Sequence, residues 1–321
     1  SATIDATLFA KHFFFGKEVP IIEVSGRLFP VEIRYRPLMQ ASAKEDKEVP
    51  EGVLDAIVEL WGQGVSGMGD ILVFLSGERE IRDCAEVLRK NIPLQQRYQP
   101  EVLSLFARQS VGEQEKIFQV GRGRRIILAT NVAETSLTVP GIRFVIDAGT
   151  ARVKRYSYRN KVEQLQIELI SQSAANQRAG RCGRVADGIC IRLYAEDEYI
   201  QRPAYTDPEI LRSSLAGVIL RMASLRLAKI DEFPFIQTPT GRAINDGVQL
   251  LEELGAIESA YTEGGREIVL TPIGRQLAKL PLDPRVSRML IAAQEYVALR
   301  EVLIIASAMA IQDPRERPPE Y

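Results

Sequence analysis

The segment Gln177–Arg184 contains three arginines at intervals of three residues, separated by glycines. A guanidinium group is planar and presents paired donors, which suits the oxygens of a polyphosphate and neutralises charge that develops during phosphoryl transfer. With Ser173 as the N-cap, a helical turn would place the three side chains on one face. The glycines lower helix stability, which favours a backbone that lies close to another part of the molecule. For any one of these arginines, an exposed basic helix is the alternative interpretation.

The composition is typical of a soluble globular protein with two or three domains: 321 residues, 45% hydrophobic, 26% charged and a net charge of −1. No apolar run is long enough to span a membrane, and no signal peptide is visible. The three cysteines form no C-x-x-C motif, which predicts free thiols and a cytoplasmic protein. The single histidine, His12, argues against a zinc site. The chain begins with Ser1 instead of Met, which predicts a fragment.

Short apolar runs alternate with helical segments in the first two thirds of the chain, which predicts a mostly parallel sheet covered on both faces. Helices are expected at Glu78–Lys90 and through Phe118. A pair of entry strands is expected within Lys11–Leu38, including the alternating stretch Val31–Arg36. The predicted buried strands are Ile71–Leu75, Val102–Leu105, Ile126–Thr130, Phe144–Asp147 and Ile189–Tyr194.

A hairpin is predicted at residues 151–169, where two alternating stretches flank Arg159-Asn160-Lys161. Two tyrosines, Tyr156 and Tyr158, are interleaved with five basic residues: Arg152, Lys154, Arg155, Arg159 and Lys161. Such charges can keep a solvated sheet edge soluble. Basic residues that alternate with aromatic residues also suit single-stranded nucleic acid. The residues alone do not decide between these two interpretations.

After residue 200 the pattern becomes helical. Helices are expected at Thr206–Arg226, with a capping box at its start, and at Thr240–Leu254, ending at Gly255. A small hairpin at Ile257–Leu270 then completes a predicted winged helix. The G-x-G-x-x-G sequence at Gly62–Gly67 follows a helix and precedes a strand, so it predicts a flexible loop and not a dinucleotide site.

Three segments together resemble the motifs of DEAH-box helicases of superfamily 2, with the bacterial HrpA type the most similar. Leu75–Ile81 resembles the fourth motif, Thr130–Thr138 the fifth and Gln177–Arg184 the sixth. Ser1-Ala2-Thr3 resembles the motif that links the two RecA-like lobes. The resemblance implies an α/β fold: the end of the linker at 1–20, the second RecA-like lobe at 21–200 with the hairpin at 151–169, a winged helix at 201–270 and the start of a helical ratchet domain at 271–321.

The resemblance also implies roles for individual residues. Arg181 and Arg184 would act as arginine fingers on the γ-phosphate, and Gln177 would order the attacking water. At the nucleotide, Phe118 would stack on the base, Ser136 would sense the γ-phosphate and Thr138 would face the ribose. The implied RNA contacts are Ser76, Gly77, Thr130, Asn131, Arg155 and Lys161. Pro140 stands where many relatives have an aspartate, which puts one ribose contact in doubt; Cys182 replaces the usual alanine.

Neither a G-x-x-x-x-G-K-[ST] loop nor a D-E-A-H sequence occurs in the chain. In the family both lie on the first lobe, so the resemblance implies that ATP and Mg²⁺ serve the longer protein and that the magnesium ligands lie outside this chain. The implied partners are single-stranded RNA and the first RecA-like lobe, for a monomeric protein without zinc or membrane contact. The alternative hypothesis is a non-catalytic winged-helix module that binds nucleic acid or protein. The fifth and sixth motifs favour the helicase.

Overall fold

The computed structural model of the protein describes residues 4–14, 16–22, 24, 29–39, 47–62, 69–119, 123–135, 137–262 and 265–311. The linking motif at 1–3, Ser136 and most of the Gly62–Gly67 loop lie outside these residues. The chain divides into two compact units. The first comprises Ser1–Val153 and Leu165–Thr206, and the second comprises Lys154–Gln164 and Asp207–Tyr321.

The described helices and strands as far as residue 201 mostly alternate along the chain, except where α4 follows α3 and where β5, β6 and β7 are consecutive. In order they are α1 (Ala6–His12), β1 (Val31–Tyr35), α2 (Val49–Gly62), β2 (Asp70–Phe74), α3 (Glu78–Lys90), α4 (Ile92–Tyr98), β3 (Glu101–Leu105), α5 (Val111–Glu115), β4 (Arg125–Ala129), α6 (Val132–Thr135), β5 (Ile142–Asp147), β6 (Thr150–Ser157), β7 (Val162–Leu169), α7 (Gln172–Ala179), β8 (Gly188–Arg192) and α8 (Glu196–Gln201).

Six of these strands form one sheet in the order β1-β8-β5-β2-β4-β3, and every neighbouring pair is parallel. Side chains of β2 alternate between its two faces: Ile71 and Val73 pack into one buried cluster, while Leu72 and Phe74 pack into another. Because both faces are covered, each strand needs apolar residues at nearly every position. The prediction of a parallel sheet between two layers is confirmed.

The amino-terminal segment differs from its prediction. Ala6–His12 is a helix, with the Asp5 side chain accepting from the Leu8 N–H group. Only β1 pairs with the sheet in the described part of Lys11–Leu38, through β8. The expected second entry strand is therefore absent from the described residues, because the alternation that predicts a strand extends only over Val31–Tyr35.

The predicted hairpin is present as β6 and β7, which pair with each other. The remaining elements belong to the second unit and form a winged helix followed by further helices. They are α9 (Ala216–Ser224), α10 (Gly241–Glu253), β9 (Ile257–Thr262), β10 (Gly265–Leu270), α11 (Pro272–Leu277), α12 (Pro284–Glu295) and α13 (Leu299–Ala310). A single apolar core joins α9, α10, β9 and α11.

The helix predicted at Thr206–Arg226 is shorter than expected. Pro208 has an extended backbone, and residues Glu209–Leu211 form only one 3₁₀ turn. Arg212 then leaves helical geometry at φ −124° and ψ −6°, so α9 begins at Ala216. The extended backbone at Pro208 and the break at Arg212 thus separate the predicted capping box from α9.

Candidate functional site

The arginine segment begins as a helix and continues as a turn. Ser171, and not Ser173, caps α7 by accepting a hydrogen bond from the Ala174 N–H group at 3.2 Å. The helix ends at Ala179, before the second and third arginines. The prediction that all three arginines share one helical face is therefore wrong.

Arg178 is completely buried. Its Nε donates to Glu134 Oε2 at 3.0 Å, and its Nη1 donates to Asp147 Oδ1 at 2.7 Å. Both terminal nitrogens also donate to the Thr150 carbonyl oxygen at 3.2 Å, and the guanidinium carbon lies 4.9 Å from the centre of the Phe74 ring. With all these partners inside the protein, Arg178 holds α7 against α6 and β5 and cannot reach a ligand.

The two carboxylates around Arg178 are buried to different extents and have further partners. Asp147 is fully buried and also accepts from the Tyr194 hydroxyl at 3.0 Å and from the Gly149 N–H group at 2.9 Å. Burial raises the pKa of the Glu134 carboxyl above its ordinary value, against the opposing effect of Arg178. Burial also disfavours the Arg178 cation, but the charges of Asp147 and Glu134 outweigh it and raise the pKa of Arg178.

Arg181 and Arg184 both contact the segment that follows α6. Arg181 Nη1 donates to the Leu137 carbonyl oxygen at 3.2 Å, and Arg184 Nη1 donates to Thr138 Oγ1 at 3.3 Å. No described carboxylate forms an ion pair with either guanidinium group. Burial and the positive charge of Arg184 lower the pKa of Arg181, and the nearby carboxylate of Glu134 opposes this effect only in part.

Two polar atoms of this segment are buried without a hydrogen-bond partner in the described structure. They are Nε of the Arg181 guanidinium group and Oε1 of Gln177. Buried polar atoms in native proteins are nearly always hydrogen-bonded, so a donor group and an acceptor group remain available here. The arrangement can therefore receive an anion together with a small hydrogen-bonding molecule such as water.

Gly183 holds the end of the segment against β1. Its φ of +75° lies in the left-handed region that disfavours other residues. A Cβ atom there would lie 2.9 Å from the Phe29 carbonyl oxygen and 2.6 Å from Val31 Cγ2. The predicted close approach of the backbone is confirmed at this glycine.

The described residues predicted to contact the nucleotide lie at the amino edge of the parallel sheet. Thr138 precedes β5, and Arg181 and Arg184 precede β8. Phe118 precedes β4 and is 41% exposed. Arg125, at the start of β4, donates to the carbonyl oxygens of Ile117 and Gln119, the two residues on either side of Phe118. Since the strands are parallel, their amino ends share one edge.

Four predicted RNA residues lie at the opposite, carboxyl edge. Ser76 and Gly77 follow β2, and Thr130 and Asn131 follow β4, its neighbour in the sheet. Ser76 is buried, and its N–H group donates to Glu80 Oε2 at 2.6 Å. The tertiary structure thus separates the predicted nucleotide and RNA residues onto two edges of one sheet.

The two predicted RNA residues of the hairpin are already paired with carboxylates of the second unit. Arg155 Nη1 lies 3.0 Å from Asp207 Oδ2, with both side chains partly exposed. Lys161 Nζ lies 3.1 Å from Asp246 Oδ1 and is itself buried, although the angles do not make this contact a directed hydrogen bond. The side chain of Lys161 is otherwise 31% exposed, and its expected role in binding RNA stays a prediction.

Some residues that organise the site were not predicted. Arg178, Glu134 and Asp147 form the buried ion cluster, and Arg125 pairs with Asp70 at 2.5 Å beside the Pro140 carbonyl oxygen. The sequence contained one signal that could have indicated these residues. A charged residue at the first or last position of a buried strand needs a partner, and Arg125 and Asp147 occupy such positions in β4 and β5.

Within the described residues, no group of three or more His, Cys, Asp or Glu side chains could hold a metal ion. The helices of the described chain are all too short or too polar to cross a membrane. The three cysteines are buried, and no disulfide joins them.

Family comparisons match this architecture in the expected order. The helicase conserved C-terminal domain matches residues 53–186, the winged-helix helicase associated domain matches 247–282, and the ratchet-like helicase associated domain matches 283–321. The ATP-dependent RNA helicase HrpA of Escherichia coli is 56% identical over 318 residues, which cover 99% of this chain and 24% of that protein. The chain belongs to the DEAH-box helicases, as a C-terminal part of the HrpA type.

Other helicases of this family show the same relationship. The HrpA homologue of Haemophilus influenzae is 56% identical over 320 residues, covering 100% of this chain and 24% of its own length. The crystal structure of the DEAH/RHA helicase HrpB of Escherichia coli superimposes with a TM-score of 0.80 at 31% identity, over 98% of this chain and 38% of that one. The chain thus spans about a quarter of the length of these two HrpA proteins.

Proposed function

We propose that the longer protein containing this chain is an ATP-dependent RNA helicase and that this chain completes its ATP site through Arg181 and Arg184. The observation that carries the proposal is the pair of guanidinium groups on the Leu137–Thr138 segment, which have no described carboxylate partner. A γ-phosphate would supply the missing negative charge and gain two planar donors. The relatives named ATP-dependent RNA helicases support the same activity.

The neighbouring residues fit supporting roles. Gln177 Oε1, buried without a donor, can accept a hydrogen bond from the attacking water. Phe118 presents an exposed ring at the same sheet edge, where it can stack on the nucleotide base. Thr138 is held by Arg184 and would face the ribose. Ser136 remains a predicted γ-phosphate contact outside the described residues.

Magnesium bound with ATP neutralises phosphate charge in enzymes of this kind. The family resemblance implies that its ligands lie in the first RecA-like lobe. The contribution of this chain is the positioning of Arg181 and Arg184 by the buried Arg178 cluster. Its three buried cysteines fit a reducing, cytoplasmic location, and we expect a monomer.

Single-stranded RNA would cross the carboxyl edge of the sheet, along Ser76, Gly77, Thr130 and Asn131. The ion pair of Arg155 is partly exposed, and such pairs contribute only about 0–1 kcal/mol, so a phosphate can compete for that side chain. The Nζ atom of Lys161 is buried beside Asp246, although 31% of the side chain is exposed, so we assign Lys161 the role of anchoring the hairpin tip to Asp246.

The test uses the protein extended by its upstream lobe. Arg181→Ala and Arg184→Ala should each lower RNA-stimulated ATP turnover by roughly 10³-fold or more, the scale of arginine-finger losses. Lysine at either position should restore little, because a point charge does not reproduce the planar pair of donors. The measurement is phosphate release at saturating ATP and RNA.

Arg89→Ala is the matched control, since it removes the same charge from an exposed side chain in the last turn of α3, which packs on the opposite face of the sheet from Ala179 of α7. Its turnover should stay near that of the wild type. Near-normal turnover in Arg181→Ala or Arg184→Ala, with circular dichroism unchanged, would show that these arginines do not complete the ATP site.

A further inference from the structure

Arg152, near the start of β6, lies directly over the backbone of Gly77. A Cβ atom built on Gly77 would lie 2.8 Å from Arg152 Nε and 2.9 Å from its guanidinium carbon. Gly77 itself has φ −178° and ψ −178°, an extended conformation that any residue adopts. The backbone geometry therefore does not require glycine at this position. The close position of the Arg152 guanidinium group, which we call its seat on Gly77, does require it.

The Arg152 side chain is exposed and has no ion pair with any described carboxylate. This distinguishes it from Lys154, Arg155 and Lys161 in the same hairpin, which pair with Glu163, Asp207 and Asp246. Glu80, close in sequence to Gly77, accepts from the Ser76 N–H group instead. Arg152 is thus held in place by a backbone contact while its charge stays unneutralised.

The sheet order places this charge among the predicted RNA residues of the carboxyl edge. β2 lies between β5 and β4, as shown by the hydrogen bonds from the Ala148 N–H group to the Phe74 carbonyl oxygen and from the Leu75 N–H group to the Ala129 carbonyl oxygen. Gly77 follows β2, Thr130 follows β4, and the chain from β5 leads into β6.

We infer that Arg152 binds a backbone phosphate of single-stranded RNA and that Gly77 lacks a side chain in order to seat it. The inference rests on the proposed RNA-binding role of this edge. The guanidinium group lies against Gly77 on an exposed side chain, so its N–H groups can donate to two oxygens of one phosphate. Gly77 then acts as a positioning residue and Arg152 as the ligand.

The experiment measures binding of the whole chain to a fluorescein-labelled oligouridine of about 12 nucleotides by anisotropy, at several salt concentrations. Loss of one phosphate contact on a single strand should reduce the slope of log affinity against log salt by about 0.7. At about 0.1 M salt the same relation gives a roughly five-fold weaker affinity for Arg152→Ala. Arg97→Ala is the control, because α4 leads into the amino end of β3 and so lies at the other sheet edge.

Gly77→Ala tests the seat independently. Its Cβ would displace only the movable end of Arg152, so the fold should be retained while binding weakens about as much as in Arg152→Ala. In the double variant the two effects should not add, because they act on one contact.

The outcomes separate the inference from the proposed function. Salt-dependent binding by the wild type with an unchanged slope in Arg152→Ala would overturn the inference alone. Fully additive losses in the double variant would overturn the seating role of Gly77. No binding of oligouridine by the wild type would overturn both the inference and the proposed RNA-binding edge.

Discussion

At the scale of single residues, the same side chain takes different roles according to its surroundings. Arg178 lies between two buried carboxylates, which satisfy its charge inside the protein. Arg181 and Arg184, only a few residues later, meet a carbonyl oxygen and a hydroxyl group, which leave their charge in place. Arg178 is therefore a structural residue, and we propose that Arg181 and Arg184 bind the γ-phosphate.

Arg178→Ala should lower the free energy of unfolding of the first unit by roughly 3–5 kcal/mol, because it leaves two carboxylates buried without their cation. Arg178→Lys should recover only part of this loss, since an ammonium group cannot reach Glu134, Asp147 and the Thr150 carbonyl oxygen in one plane. Urea unfolding measures both variants.

In the same measurement, Arg79→Ala should stay within about 0.5 kcal/mol of the wild type, as expected for an exposed side chain. If Arg178→Ala unfolds at the same urea concentration as this control, the buried cluster does not hold α7 in place.

A pH dependence follows from the raised pKa of Glu134. The folded state binds the Glu134 proton more tightly than the unfolded state, so this contribution to stability is complete below the unfolded pKa and is lost as pH rises through the folded pKa. Glu134→Gln has no such proton. Its free energy of unfolding should therefore improve relative to the wild type as pH rises from about 4 to about 8, measured by urea unfolding at each pH.

Groups that do not interact with Glu134 titrate alike in both proteins, so their effects cancel in this difference. A constant difference across the pH range, or one that moves against the variant as pH rises, would contradict the raised pKa.

At the scale of elements, helix ends and close contacts decide where side chains are presented. Because α7 ends at Ala179 and the chain turns at Gly183 against the Phe29 carbonyl oxygen, Arg181 and Arg184 reach the amino edge of the sheet. In the second unit, α11 packs in the same close manner: Gly274 lies against the Ala256 carbonyl oxygen, where a Cβ atom would come within 1.9 Å.

Gly274→Ala should therefore lower the unfolding temperature of the second unit, by an amount equivalent to about 1–3 kcal/mol or more, because backbone must move to admit the methyl group. Gly217→Ala is the matched control, at an exposed position of α9 where nothing lies within 4 Å of the added Cβ atom. This substitution should raise stability by up to about 1 kcal/mol. Thermal unfolding compares the Gly274→Ala and Gly217→Ala variants. Equal unfolding temperatures would show that the packing of α11 does not depend on the close contact between Gly274 and the Ala256 carbonyl oxygen.

At the scale of the whole molecule, the chain carries one side of the proposed ATP site. The two HrpA proteins are about four times as long as this chain, since the matched region is 24% of each of them. In this chain the sixth motif supplies cations, while the sequence holds no phosphate-binding glycine loop with its lysine.

The isolated chain should consequently show no ATP turnover, with or without single-stranded RNA, because positioned cations alone neither bind the triphosphate tightly nor activate water. Phosphate release from purified chain, followed across the peak of a sizing column, measures this. RNA-stimulated release that coincides with the intact chain would contradict the prediction, and addition of the upstream lobe as a separate polypeptide should restore activity.

The sequence by itself determined the features that depend on local patterns. Continuous apolar runs such as Ile71–Phe74 predicted strands buried on both faces, and alternating charges predicted the hairpin of β6 and β7. The motifs and their order predicted the family. These features could be predicted because periodicity and turn residues act over short stretches of chain.

Only the tertiary structure decided which arginine is buried and which residues share an edge. The partners of Arg178 come from residues 44 and 31 positions away, and its spacing from Arg181 gives no sign of them. The early end of α7, the separation of Phe118 from Gly77 across the sheet, and the seat of Arg152 on Gly77 likewise depend on contacts between distant segments. A regular spacing specifies neighbours along one helix, whereas burial of a charge depends on the groups that other elements bring to it.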